Sequence, residues 1–366
     1  MELDPVAASK RLMYKFIRVL AERNPLNSQE HRIMSLFNID IDRRHALRKL
    51  SGMAAALGFS PLPQAFAQEA YPSKTIRFVV PFPPGSGAEL TARFIGQKLS
   101  DLTGQPVVVE PKGGGNGFIG VQAVLSAPRD GYTLFAGSNS TIATNVALFK
   151  KLPYDPLTDL VPISLFIRSP IVLIVPPNSP FRTLREFIAA AKREPGKLTI
   201  GSGSAGYQMM GAMLAEKAGL DLLPVPYKSS PDTVKAVLGG EVSIGVADVT
   251  SALPLIQSAK VRALASATDK RLLGTPDVPT AREEGLLDFT PAPWNGIMAP
   301  AGVPKPIIDK LSDLFARILA SPEAAEFYAK QNVEQLPSGQ EAMRKFQREE
   351  IERWKRIAIS SKIEQQ

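Results

Sequence analysis

Ile76 to Leu99, IRFVVPFPPGSGAELTARFIGQKL, reads as strand, loop and helix, and the rest of the chain repeats that order. Ile76, Phe78, Val79 and Val80 form a short apolar run suited to a strand buried on both faces. Pro81, Pro83 and Pro84 end the run, because proline has no N–H to give to a ladder. Leu90, Phe94, Ile95 and Leu99 recur at helical spacing, which predicts a helix from near Ala88. Between strand and helix stands Gly85-Ser86-Gly87, whose small side chains let a ligand reach backbone amides at a helix N-terminus, an anion site. An ordinary βα turn accounts for the same residues. Recurrence of the design downstream favours the site.

Working outward, Val107 to Glu110 is a second strand, and Gly115 to Gly120 after it matches G-x-G-x-x-G. A dinucleotide fingerprint needs an acid at the end of the next strand to hold a ribose. That strand, Tyr132 to Ala136, runs instead into Gly137-Ser138-Asn139-Ser140-Thr141. The loop is therefore expected to offer amides to a smaller anion. Val161 to Val175 is extended, interrupted at Pro170, and is expected to carry the crossing into a second lobe. There Leu198 to Ile200 leads into Gly201-Ser202-Gly203-Ser204-Ala205-Gly206-Tyr207 and a helix whose Met209, Met210 and Met213 are expected to fill a core. Val242 to Asp248 is a strand ending in an acid, readable as a ligand contact or as a helix N-cap before Ser251. Trp294-Asn295-Gly296 marks the return crossing. Gln340 to Ile359 is a charged amphipathic helix with Trp354 on its apolar face.

Strands alternating with helices in two halves, with two crossings, predict an α/β, two-lobed protein, each lobe a mixed, mostly parallel sheet flanked by helices. Lobe 1 is expected to hold residues 68–168 plus 295–366, and lobe 2 residues 169–294. At 366 residues the chain is long enough for two such cores.

Composition removes several chemistries. The chain has no cysteine, and its two histidines, His31 and His45, precede the expected processing point. The processed domain then lacks the usual general base, nucleophile pairs and transition-metal ligands. No catalytic residue, metal site or cofactor is predicted. Net charge is +8, but residues 1–67 carry 10 Lys+Arg against 6 Asp+Glu, leaving 33 against 29 for residues 68–366. Basic residues are scattered and aromatics few, so no nucleic-acid partner is expected.

Asp42-Arg43-Arg44-His45-Ala46-Leu47-Arg48-Lys49, the weakly apolar Leu50 to Phe59, and Ala65-Phe66-Ala67 have the order of an export signal cleaved after Ala67. The paired arginines resemble a twin-arginine signal; Ala46 stands where such signals favour a bulky apolar residue, which leaves Sec export open. Met34 is expected as the true start, with residues 1–33 outside the protein. The mature chain is expected to be periplasmic and monomeric.

Val80-Pro81-Phe82-Pro83-Pro84-Gly85, Asp130-Gly131-Tyr132-Thr133-Leu134, Lys151-Leu152-Pro153-Tyr154-Asp155-Pro156, Val225-Pro226-Tyr227-Lys228, Asp277-Val278-Pro279-Thr280 and Ala299-Pro300-Ala301-Gly302 follow one another in this order. With them, the chain from Tyr71 onward resembles the Bug-type (TctC-like) extracytoplasmic solute receptors of tripartite tricarboxylate transporters. The resemblance implies a two-lobed periplasmic binding protein fold of type II-like build, a small organic carboxylate held in an interlobe cleft by backbone amides and bridging waters, and a tripartite membrane permease as partner. It assigns ligand contacts to Phe82, Pro83, Gly85, Ser86, Gly87, Glu89, Ser138, Asn139, Ser140, Thr141, Ser202, Gly203, Ser204, Ala205, Tyr207 and Asp248, the last meeting the distal part of the ligand. Glu89, the Ser86-Gly87 order, Tyr207 and Met210 depart from the commoner family residues, which leaves the ligand open. On this reading Gly85→Val should abolish binding. A ligand-sensing subunit for a membrane receptor is an alternative. So is an α/β enzyme using Lys228, Glu89 or Asp248 with a nucleotide cofactor or a metal.

Overall fold

Apolar runs alternating with amphipathic stretches give two sheets, in a computed structural model that describes residues 71–336, 339–361 and 363–366. The expected export signal and the start at Met34 lie outside the described residues. The chain begins β1 (Ile76–Val80), α1 (Gly87–Thr103), β2 (Val107–Pro111), α2 (Phe118–Leu125), β3 (Thr133–Ser138), α3 (Asn145–Leu148) and β4 (Leu160–Arg168). It crosses at Ser169-Pro170 into β5 (Ile171–Val175), α4 (Leu184–Arg193), β6 (Thr199–Ser202), α5 (Ala205–Ala218), β7 (Leu223–Pro226), α6 (Ser230–Leu238), β8 (Ile244–Asp248), α7 (Val249–Gln257) and β9 (Arg262–Ser266). It returns through β10 (Trp294–Pro300) to α8 (Lys305–Leu319), α9 (Pro322–Gln331), β11 (Glu334–Gln335) and α10 (Gln340–Ser360).

The first sheet has the order β11-β4-β10-β3-β1-β2 and the second β7-β6-β8-β5-β9. Both are mixed, but not mostly parallel. Among the described residues only β1–β2, β1–β3, β6–β7 and β6–β8 are parallel pairs, while β10 pairs antiparallel with β3 and β4, and β5 with β8 and β9. Each sheet thus has a βαβ half, where crossover helices force parallel neighbours, and an inserted strand, β10 or β5, that arrives from the other lobe in the opposite direction. The two crossings are tied together by Ser169 N–H donating to Pro293 O at 2.8 Å.

The helices start and stop where side chains satisfy their end groups. Ser86 caps α1, whose last turn closes on Gly104 in the left-handed region at φ 69°. Thr183, Ser229, Asp248 and Ser321 cap α4, α6, α7 and α9 in the same way. One core is shared by both lobes. Met209, Met210 and Met213 of α5 lie buried in it with Ile142 and Ala147 of the first lobe and Trp354 and Ala358 of α10. The methionines are therefore packing residues, as their spacing suggested. A second core fills the other face of the first sheet under α1 and α8, and a third lies between the second sheet and α6 and α7.

Candidate functional site

The carboxyl ends of β1, β3, β6 and β8 face one narrow cleft between the sheets, whose free volume is only about 30 Å³. Its lining comes from Phe82, Ser86, Gly87 and Ala88 after β1, and from Ser138, Asn139 and Ser140 after β3. The second lobe adds Gly203, Ser204 and Tyr207 after β6, Ser230 at the start of α6, and Asp248 after β8. Ser169, Pro293 and Asn295, from the two crossings, form its floor. Carboxyl ends of strands at a switch in strand order are where open α/β sheets bind ligands.

Three helices aim their N-termini here. Gly87 and Ala88 are the first residues of α1, and Ala205 and Ser230 the first of α5 and α6. N–H groups in a helix's first turn have no acceptor within the helix, and the dipole makes that end electropositive. The two sides of the cleft also touch. Ser140 Oγ lies 3.0 Å from Ser204 Oγ and accepts from Gly206 N–H at 3.1 Å, so a side chain of one lobe caps a helix of the other. A Cβ on Gly87 would stand 3.2 Å from Asp248 Oδ1 across the cleft.

Among the described residues Asp248 is the one charged side chain in the lining, and it is 3% exposed. It lines the cleft and also caps a helix. Its Oδ1 accepts from Ser251 N–H at 2.8 Å, which makes it the N-cap of α7, and its Oδ2 accepts from Ser251 Oγ at 3.0 Å and Tyr207 Oη at 3.2 Å. Burial and the facing Asp248 carboxylate push the Tyr207 phenol well above its ordinary value, so it stays a donor. Two hydroxyls in the lining have nothing to bond. Ser138 Oγ and Ser169 Oγ are buried without a hydrogen-bond partner, a cost normally avoided unless a ligand or water meets the group.

Of the residues expected at the site, Phe82, Ser86, Gly87, Ser138, Asn139, Ser140, Gly203, Ser204, Tyr207 and Asp248 line the cleft, and six others do not. Glu89 is turned away: its carboxylate accepts from Gly85 N–H at 3.3 Å and pairs with Arg93, while its own N–H donates to Ser86 Oγ. It belongs to the helix cap. Thr141 Oγ1 donates to Ser138 O at 3.2 Å and closes the turn after β3. Ser202 and Ala205 are buried outside the lining, and Pro83, half-buried, and Gly85, exposed, are outside it too. A Cβ on Gly85 would meet only Pro231, at 4.0 Å, so the close approach assigned to Gly85 falls to Gly87. Of the three residues named for an enzyme, Lys228 is exposed and Glu89 is spent, leaving Asp248 alone in the cleft.

The loop Gly113 to Gly120 does not present its amides to the cleft. A Cβ on Gly117 would lie 2.3 Å from Thr141 Cγ2, and one on Gly120 3.1 Å from Pro81 Cα. These glycines let the loop lie against the backs of the β1 and β3 loops. The residues sequence reasoning missed are Ala88, Ser169, Ser230, Pro293 and Asn295. Ser230 follows a strand and opens a helix, the pattern used elsewhere in the chain, and could have been found by it. Ser169 and Asn295 stand at the crossings and carried no such signal.

This is the build of a periplasmic binding protein: two α/β lobes, two crossings, and helix N-termini around a cleft. The model of the tripartite tricarboxylate transporter family receptor matches residues 91–363, and the chain belongs to that family. Protein BugT of Bordetella pertussis is 34% identical over 289 residues, 78% of this chain and 89% of the relative. The structure of the periplasmic binding protein BugD is similar at 31% identity and a TM-score of 0.76, over 81% of this chain and 100% of that one. An R. palustris protein solved with adipate matches at 28% identity and a TM-score of 0.78, over the same shares.

Proposed function

We propose that this solute-binding protein captures a small organic carboxylate in the cleft, without catalysis, and delivers it in the periplasm to a tripartite tricarboxylate-type permease. One observation carries the reading: two buried hydroxyls, Ser138 and Ser169, unpartnered among the described residues, in a cleft ringed by the N-termini of α1, α5 and α6. Such a site holds an anion by amides, hydroxyls and helix dipoles. The adipate in a relative is a carboxylate of this kind. Each amide or hydroxyl bond to a carboxylate contributes about 1.5–3 kcal/mol, so a few of them, offset by the cost of closing the lobes, give about micromolar affinity.

A thermal-shift panel of mono-, di- and tricarboxylates, aromatic acids, amino acids, NAD and ATP tests this. A ligand at 100 times its Kd adds about 2.7 kcal/mol of stability, enough to raise Tm measurably. Shifts confined to carboxylates are expected. A shift with NAD or ATP and none with any carboxylate would overturn the proposal in favour of an enzyme.

A further inference from the structure

The wall of the cleft that carries Ser138, Asn139 and Ser140 is not an ordinary helix start. Residues Ser140–Thr144 form a π-turn, in which Asn145 N–H reaches back to Ser140 O, before α3 resumes. Single wide turns of this kind are rare and occur where something outside the helix supports them. Here that support is visible. Tyr154 Oη donates to Thr141 O at 2.7 Å, and Gln347 Nε2 of α10 donates to Ile142 O at 3.0 Å. Both acceptors are carbonyls inside the turn.

The two donors are themselves fixed. Gln347 is fully buried, gives a second bond to Pro156 O at 3.0 Å, and its Oε1 accepts from Arg344 at 3.1 Å. Tyr154 accepts from Asn145 Nδ2 at 3.2 Å, and the same amide group donates to Asn116 O in the glycine-rich loop at 3.1 Å. Burial raises the Tyr154 phenol above its ordinary value, which keeps it a donor. Neither Tyr154 nor Gln347 lines the cleft.

We infer that Tyr154 and Gln347 are positioning residues of the binding site: by bonding the Thr141 and Ile142 carbonyls they hold the turn wide, which sets Ser138 in the cleft and Ser140 on Gly206 of the opposite lobe. The link to Gly206 gives a local reporter. Gly206 is the second residue of α5, so its N–H has no acceptor within the helix, and Ser140 Oγ is what protects it. With the π-turn relaxed to α geometry, Ser140 rotates about the helix axis and leaves that N–H.

The test uses Tyr154→Phe, which keeps the ring, and Gln347→Glu, which keeps the shape but has no N–H to donate. Amide exchange at Gly206 is followed by NMR in the full chain without ligand, with Ser140→Ala as reference. Exchange at Gly206 about tenfold or more faster in either variant, with amides late in α5 unchanged, is expected. Gly206 as protected as in the unmodified protein, with only a lowered Tm, would overturn the inference; Tyr154→Phe carries the test if Gln347→Glu fails to fold. A second arm rests on the proposed function and measures Kd for adipate and malate. A rise of about tenfold with Tyr154→Phe is expected for any of these that binds the unmodified protein, and an unchanged Kd would count against the positioning role. Binding of neither anion to the unmodified protein would count against the proposed ligand class alone, and Gly206 exchange would still decide the inference.

Discussion

Two glycine-rich loops follow neighbouring parallel strands of the first sheet and have opposite fates. The loop Gly85 to Gly87, after β1, brings Ser86 and Gly87 to the cleft and begins a capped helix. Gly113 to Gly120, after β2, has more glycines and the better-known motif, yet it folds behind the first loop. Its Gly113 and Gly120 lie against Pro83 and Pro81, its Gly117 against Thr141, and its Asn116 carbonyl holds Asn145. The difference is one of place. With the order β3-β1-β2, β1 is interior and β2 is the edge strand. A loop at an edge stands one strand further from the second lobe, so its glycines serve packing. Glycine richness shows that backbone comes close to something; which something depends on strand order.

The sharpest way to break this contrast is a pair of substitutions. Gly87→Val puts a branched side chain against Asp248 Oδ1 and Thr250, so the lobes cannot close. Affinity should fall by about 100-fold or more, as a clash of about 3 kcal/mol requires, while the helix start costs the fold less than about 1 kcal/mol. Calorimetric titration and urea unfolding of the same variant check both halves. Gly117→Ala should do the reverse. Its φ of 87° and the 2.3 Å approach to Thr141 predict a loss of about 2–4 kcal/mol of stability, read from the urea midpoint. Were Gly117→Ala to leave stability intact, the buttress reading of that loop would be lost.

A smaller effect separates floor from frame. Ser138→Ala and Ser169→Ala remove buried hydroxyls that have no partner, so each should raise the stability of the free protein by about 1 kcal/mol while weakening ligand binding about tenfold. Tm without ligand and the Kd for ligand should therefore both rise. The smallest change expected is that of Glu89→Gln. Because Glu89 serves the cap of α1 and the pair with Arg93, stability should fall by about 0.3–1 kcal/mol with Kd unchanged. A shift in ligand preference with this variant would return Glu89 to the site.

The strands and helices were legible in the sequence because their signals are local. Proline at the end of β1, period-3.6 apolar residues in α1, and Ser86 or Asp248 before a helix each act within a few residues. The strand-end rule also located most of the cleft, since every lining loop of the βαβ halves follows a strand. Its errors have one character. Glu89 and Thr141 are spent on their own turns, a competition between cap and ligand that identity alone does not decide. Ser169 and Asn295 were unmarked because a crossing has no periodicity to announce it.

By itself, then, the sequence determined the alternation of strands and helices, the two lobes, the absence of histidine and cysteine after residue 67, and the family to which the chain belongs. Strand order and lobe contact were decided only in the tertiary structure. They put one glycine loop on the cleft and the other behind it, set Ser138 and Ser169 without partners, and brought Tyr154 and Gln347 to a turn 13 and 205 residues from them in the chain. The physical reason is that caps, turns and periodicity are energies of neighbouring residues. Burial, orphaned hydroxyls and side chains that hold a distant turn depend on which surfaces meet, and that is settled when the whole chain packs.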